Sequence, residues 1–128
     1  MENEFVSYTQ ALALKELGFD EECFAMYDEY EELIWNTKHS SLCYNSQGYS
    51  DMSTAPTYSQ VFKWLRNNYN LYVDIFVDDN KTFGFMITHF TSEGRVDSPV
   101  KYNHITYEEA EQACLDKLIQ ICKTKTNG

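Results

Sequence analysis

Three times along the chain a serine or threonine is followed at once by tyrosine and, three positions on, by glutamine or glutamate: Ser7-Tyr8-Thr9-Gln10, Thr57-Tyr58-Ser59-Gln60 and Thr106-Tyr107-Glu108-Glu109. Each is a capping box. The hydroxyl accepts from the backbone N–H three residues on, and the longer side chain reaches back to the cap's own amide, so two of the unpaired donors of a helix start are satisfied. Three helices are therefore expected. The first, over 8–17, turns Ala11, Leu14 and Leu17 inward and stops at Gly18, which can take the left-handed conformation after the last turn while Phe19 folds back. The second, over 58–68, carries Val61, Phe62, Leu65 and Tyr69 on one face with Tyr58. The third runs to about Lys123 with Ala110, Cys114, Leu118 and Ile121 in a stripe that Leu115, Ile119 and Cys122 widen, and its basic end suits the negative pole of the helix dipole.

Between these starts lie strand signals. Cys23 to Tyr27 and Glu32 to Trp35 flank the turn Asp28-Glu29-Tyr30-Glu31, and Leu71 to Val77 and Thr82 to Phe90 flank Asp78-Asp79-Asn80-Lys81. Ser92-Glu93-Gly94-Arg95 is a further turn. A weaker strand is expected over Val96 to Tyr102, with Pro99 arguing for an edge position. Residues 36–56 show neither period and read as a long loop, a length that in compact domains goes with function or mobility.

The first two boxes stand fifty positions apart and each precedes a helix and a hairpin. Two explanations fit: an α-β-β duplication, or capping chemistry choosing the same residue types independently. Either way the class is α+β, a largely antiparallel sheet of four to five strands packed against three helices in the order α-β-β-loop-α-β-β-(β)-α. At 128 residues one core is expected, hence a single domain over 1–128 with a short polar tail at 124–128.

Charge narrows the function classes. The net charge is −10 and nearly all of it is N-terminal: residues 1–35 hold ten acids (Glu2, Glu4, Glu16, Asp20, Glu21, Glu22, Asp28, Glu29, Glu31 and Glu32) against Lys15, whereas 36–128 hold ten acids against nine bases. Such a field repels phosphates and anionic lipid and favours basic partners. Nucleic-acid binding is disfavoured. No apolar run of about 18 residues is present, and the N-terminus is acidic where a secretory signal is basic, so neither a membrane span nor export is expected. Cys23, Cys43, Cys114 and Cys122 lack the two-residue spacing of zinc sites, and Cys114 and Cys122 lie about 12 Å apart along one helix, too far for a disulfide. A reduced cytoplasm is the expected setting.

The segments Ala55-Pro56-Thr57-Tyr58-Ser59-Gln60-Val61-Phe62-Lys63-Trp64-Leu65-Arg66 with Asn70-Leu71-Tyr72, Ala11 to Asp20 (Ala-Leu-Ala-Leu-Lys-Glu-Leu-Gly-Phe-Asp) and Thr106 to Leu115 (Thr-Tyr-Glu-Glu-Ala-Glu-Gln-Ala-Cys-Leu) resemble a set of short uncharacterised proteins of phages and prophages of Bacteroides-like gut bacteria. The resemblance touches three of the four quarters of the chain, missing 36–54 and 74–102. It implies a phage or prophage origin and a host-cytoplasmic location, and it supplies no catalytic residues and no cofactor.

The residues themselves offer no phosphate-binding glycine loop, nucleophile elbow or zinc-protease helix. His39, His89, His104 and Cys43 are scattered, and an ordinary sheet role suits His89. The acidic residues form two groups, Asp20-Glu21-Glu22 at the base of the first hairpin and Asp28, Glu29, Glu31 and Glu32 at its tip, about 17 Å apart at 3.3 Å per strand residue. That is too far for one cation site and long enough for a strip that engages a host or phage protein with a basic surface; a solvated, solubilising face is the alternative. Tyr44 and Tyr49 in the loop and Trp64, about 120° from the centre of its helix's apolar stripe, are candidate binding aromatics, the alternative being that they complete the core. Three functions follow, in order: a non-enzymatic interaction protein; a small-ligand or nucleotide module with a pocket under the Tyr-rich loop; and, last, a metal-dependent hydrolase built on Asp74, Asp78 and Asp79. The wide apolar face of the third helix leaves two covers open, the sheet or a second copy in a homodimer.

Overall fold

The structure, a computed structural model, describes residues 4–35, 44–47 and 52–127. The described residues are α+β, with three helices and two antiparallel three-stranded sheets. The chain divides into two compact units, Met1–Tyr58 and Ser59–Gly128, so the strands expected in one sheet of four to five form two sheets instead. Each hairpin recruits its own third strand, one from a different place in the sequence than the other.

In the first unit the capping box of Ser7 closes as expected: the Gln10 amide donates to Ser7 Oγ at 3.2 Å and the Ser7 amide to Gln10 Oε1 at 3.1 Å. Helix α1 (Tyr8–Glu16) follows. It ends in a Schellman motif, with the Phe19 amide on Leu14 O at 3.0 Å, the Gly18 amide on Lys15 O at 3.1 Å and Gly18 at φ 95°. The chain then enters β1 (Ala25–Tyr27), turns, and returns as β2 (Leu33–Trp35), with Met26 opposite Ile34. A short 3-10 turn (Asn45–Gln47) precedes β3 (Ser53–Thr54), which pairs with the other edge of β1 and gives the order β2-β1-β3. Part of the expected loop is therefore a strand. The expected mobility of 36–43 and 48–51 concerns positions outside the described residues. Val6, Ala11, Leu14, Phe19, Cys23, Ala25, Tyr27 and Ala55 form the core. Two buried polar groups are satisfied within it: Tyr27 Oη donates to Val6 O at 2.6 Å, and Tyr58 Oη to Gln10 Oε1 at 2.9 Å.

The second unit contains α2, which starts at Tyr58 and ends at Tyr69, then β4 (Tyr72–Val77), β5 (Phe83–Thr91), β6 (Gly94–Asp97) and α3 (Tyr107–Asn127), with sheet order β4-β5-β6. Helix α3 packs on β5 and β4 and buries Ala110, Cys114, Leu115, Leu118, Ile119 and Cys122, so its wide face is covered within the chain. Burial pushes the Cys114 thiol up to about 12, which leaves it protonated and unreactive at neutral pH.

The last strand lies upstream of its expected place. Gly94, at φ 114°, reverses the chain at once, so pairing runs over Gly94–Asp97 and stops before Pro99, which has no N–H to give. Beyond it the backbone lifts across the sheet, so that a Cβ on Gly84 would meet Lys101 O at 2.7 Å and Val100 Cγ1 at 3.0 Å. The chain then rejoins β5, where the amides of Phe83 and His104 each donate to the other's carbonyl at 2.7 and 3.1 Å.

The two α-β-β segments agree at a spacing of fifty in their helix starts, their turns and the strand pairing beside the turns. Helices start at Tyr8 and Tyr58, and Tyr27 faces Leu33 as Val77 faces Phe83. Both turns begin on aspartate and carry a left-handed residue three further on, Glu31 at φ 64° and Lys81 at φ 61°. In each turn the aspartate Oδ1 accepts two backbone amides: Tyr30 and Glu32 on Asp28 at 2.8 and 3.0 Å, and Asn80 and Thr82 on Asp78 at 3.0 and 2.9 Å.

Asp78 also accepts the Thr82 hydroxyl on Oδ2 at 2.7 Å, and the Thr82 side chain and amide hold its carboxyl below the ordinary aspartate range. A carboxyl whose folded value is depressed adds stability above its unfolded value and loses it as pH falls through the folded one. Stability of the β4–β5 hairpin is therefore expected to fall below about pH 5. Amide NMR shifts of Asn80 and Thr82 should titrate with a midpoint below that of an unstructured aspartate, and Asp78→Asn should abolish that titration.

Candidate functional site

The N-terminal acids fall around the hairpin of the first unit. Asp20, Glu21 and Glu22 are exposed, as are Glu29, Glu31 and Glu32, whereas Asp28 is half-buried and committed to the turn. The first group is fixed by the 3-10 turn. The Ser46 amide donates to Asp20 Oδ1 at 2.8 Å, the Asn45 side-chain amide to Phe19 O at 2.7 Å, and the Tyr44 hydroxyl to Glu22 Oε1. The Ser46 hydrogen bonds hold the Asp20 carboxyl below its usual range, and the bond to Glu22 raises the Tyr44 phenol above its own. The sequence placed Tyr44 and the acids in separate candidate sites; the fold joins them. Asn45 ties the same turn to β3, accepting the Thr54 amide at 2.9 Å.

Two aromatic side chains escaped the sequence reading. Phe24 and Tyr30 are the most exposed rings among the described residues of the first unit, at 74% and 75%. The signal for Phe24 is period-2 alternation. Cys23, Ala25 and Tyr27 are buried, so Phe24 and Met26 point the other way. Met26 faces Ile34 across the ladder, and both are half-buried. The outward side of the hairpin is thus an apolar line of Phe24, Met26 and Ile34, with Tyr30 at the turn and with Glu21, Glu22, Glu29, Glu31 and Glu32 near it in sequence.

Trp64, which the sequence left open between a binding surface and the core, is buried at 8% and meets Tyr69 edge to face with ring centroids 5.5 Å apart. The buried positions of α2 are Tyr58, Val61, Trp64 and Leu65, while Phe62 is half-buried. The stripe of Tyr58, Val61, Phe62 and Leu65 read from the sequence centres between Tyr58 and Leu65. The actual centre is Val61, which turns Trp64 inward. Tyr49 lies outside the described residues.

Among the described residues the other constellations do not assemble. His39 and Cys43 lie outside the described residues. His104 stacks on Phe85 at 6.1 Å, and His89 lines a hollow of about 600 Å³ with Lys117, Gln120, Ile121, Lys123 and Thr124 of α3. A second hollow, of about 410 Å³, lies on the outward side of the second sheet among Tyr72, Asp74, Thr88, Phe90 and Arg95. Among the described residues no three of His, Cys, Asp and Glu gather as a metal site, and Asp78 is committed to its turn. No described helix is long and apolar enough to cross a membrane. Comparison of the chain with protein-family models, with curated proteins and with solved structures finds no match.

Proposed function

We propose that the chain is a non-enzymatic accessory protein of phage or prophage origin that acts in the host cytoplasm by holding a basic surface of a host or phage protein against the hairpin of its first unit. The observation that carries this is the pairing of charge with exposed rings. A face that serves only solubility is charged and has no use for large aromatic groups, whereas Phe24 and Tyr30 stand about three-quarters exposed beside the acids. Aromatic anchors supply binding energy, and the charge around them supplies attraction and choice of partner. Residues 1–58 hold eleven acids against two bases and residues 59–128 nine against eight, so the attraction for a basic partner belongs to the first unit.

Capture from a bacterial lysate by the native chain and by the triple variant Glu29→Lys, Glu31→Lys, Glu32→Lys tests this. The native chain should retain a basic protein, and the variant should lose it while keeping the same thermal unfolding. Retention of the same proteins by both would contradict the proposal.

A further inference from the structure

The outward face of the β4-β5-β6 sheet has the makings of a second recognition site. Alternation along β4 sets Tyr72, Asp74 and Phe76 on this side, and all three are exposed. Their partners on β5 are Thr88, Met86 and Gly84, and Phe90 and Thr88 in turn face Arg95 and Asp97 of β6. Ile87, of opposite parity, is buried on the side where α3 packs. Tyr72 and Phe90 meet edge to face with centroids 5.8 Å apart, and both line the hollow of about 410 Å³.

The charges of this hollow are unequal. Arg95 Nε donates to Asp97 Oδ1 at 2.9 Å, and Thr88 Oγ1 donates to the same oxygen at 2.6 Å. Arg95 is thus neutralised and held in place by its own neighbour. Asp74 makes no ion pair within contact distance among the described residues, but its charge acts on Arg95 together with that of Asp97, so two carboxylates stand against one guanidinium beside the two aromatic rings. Rings and a carboxylate together favour a cation, because the ring face is the negative end of its quadrupole. A planar guanidinium suits this combination better than an ammonium, since it stacks on a ring while its N–H groups reach a carboxylate.

We infer that the hollow of Tyr72, Phe90 and Asp74 receives an arginine side chain of a partner protein. The inference rests on the second sheet alone and stands or falls separately from the acidic hairpin. The test is an amide NMR titration of the full chain with N-acetyl-arginine amide. Saturable shifts are expected at Asp74, Thr88, Phe90 and Arg95, and Asp74→Asn should weaken the binding about threefold, the scale of one exposed charge pair. Tyr72→Ala should weaken it further in a chain whose other amide signals are unchanged. The uncharged isostere N-acetyl-citrulline amide should leave the spectrum unmoved. Equal shifts with citrulline, no saturable shift with arginine, or tighter binding of N-acetyl-glutamate amide at Arg95 would overturn the inference.

Discussion

Replacing Trp64 by alanine is expected to cost about 3–5 kcal/mol of stability, the range for removing a large aromatic side chain from a packed core. The ring is 8% exposed and braced edge to face by Tyr69, and it neighbours a core that includes the fully buried Val61 and Leu65. For a unit of this size the corresponding fall in melting temperature exceeds about 10 °C, readable by far-ultraviolet circular dichroism. A tryptophan presented to solvent for ligand stacking would behave differently, because surface truncations seldom move stability by more than about 0.5 kcal/mol. A small effect would return Trp64 to the list of binding candidates and place the apolar face of α2 where its sequence stripe suggested.

Gly84→Ala is expected to cost about 1–3 kcal/mol through overpacking. The obstacle is steric: Lys101 O stands 2.7 Å from the site of the new Cβ, and it is backbone that cannot swing aside as a side-chain end would. A glycine inside a strand marks such close approaches of another backbone. The displaced segment leads into the bridge between Phe83 and His104, so faster hydrogen exchange is expected at those two amides before it is seen in β4. Adding Val100→Ala should recover little, since the carbonyl is the closer of the two contacts. Full recovery would mean that the valine side chain, and not the crossing backbone, sets the requirement for glycine.

Much of the fold was legible because its signals are local. A capping box is read from four residues, and all three boxes stand at helix starts. In the third, Thr106 Oγ1 accepts the Glu109 amide at 3.1 Å, while the Glu109 carboxylate takes the amide of Ile105, one residue ahead of the cap. The hairpin turns were legible for the same reason, since aspartate at the first turn position accepts the next free amides wherever it occurs. What escaped the sequence depends on partners far along the chain. Strand β3 is two residues long, without period or composition of its own, and exists because Met26 and Tyr27 offer it an edge. The division into two sheets follows from which edge each third strand takes, β1 for Ser53–Thr54 and β5 for Gly94–Asp97. Pro99 was read correctly as unfit for a central ladder but was placed inside the strand, whereas the ladder ends before it.

The candidate site divides in the same way. The acids were legible as a charge imbalance, and Asp20 and Glu22 are indeed held in place, but by Ser46 and Tyr44, contacts across more than twenty positions of sequence. Phe24 was read only as part of an apolar run. Strict alternation around Cys23, Ala25 and Tyr27 would have pointed it outward. Trp64 was left open between surface and core because four apolar residues at helical spacing fix a stripe only to within about one position, and at 100° per residue that decides whether a neighbouring ring is inside or outside.

The claim that the first unit binds through acids and exposed rings together is tested most directly by the salt dependence of affinity for the captured basic protein, measured for the native chain and for the double variant Phe24→Ser, Tyr30→Ser. The expected result is an affinity that falls steeply as ionic strength rises through the range where exposed charges are screened, and a loss of about tenfold or more in the double variant at every salt concentration, as befits aromatic anchors. An affinity indifferent to salt, or untouched by the two substitutions, would contradict it and leave the acids as a solubilising face.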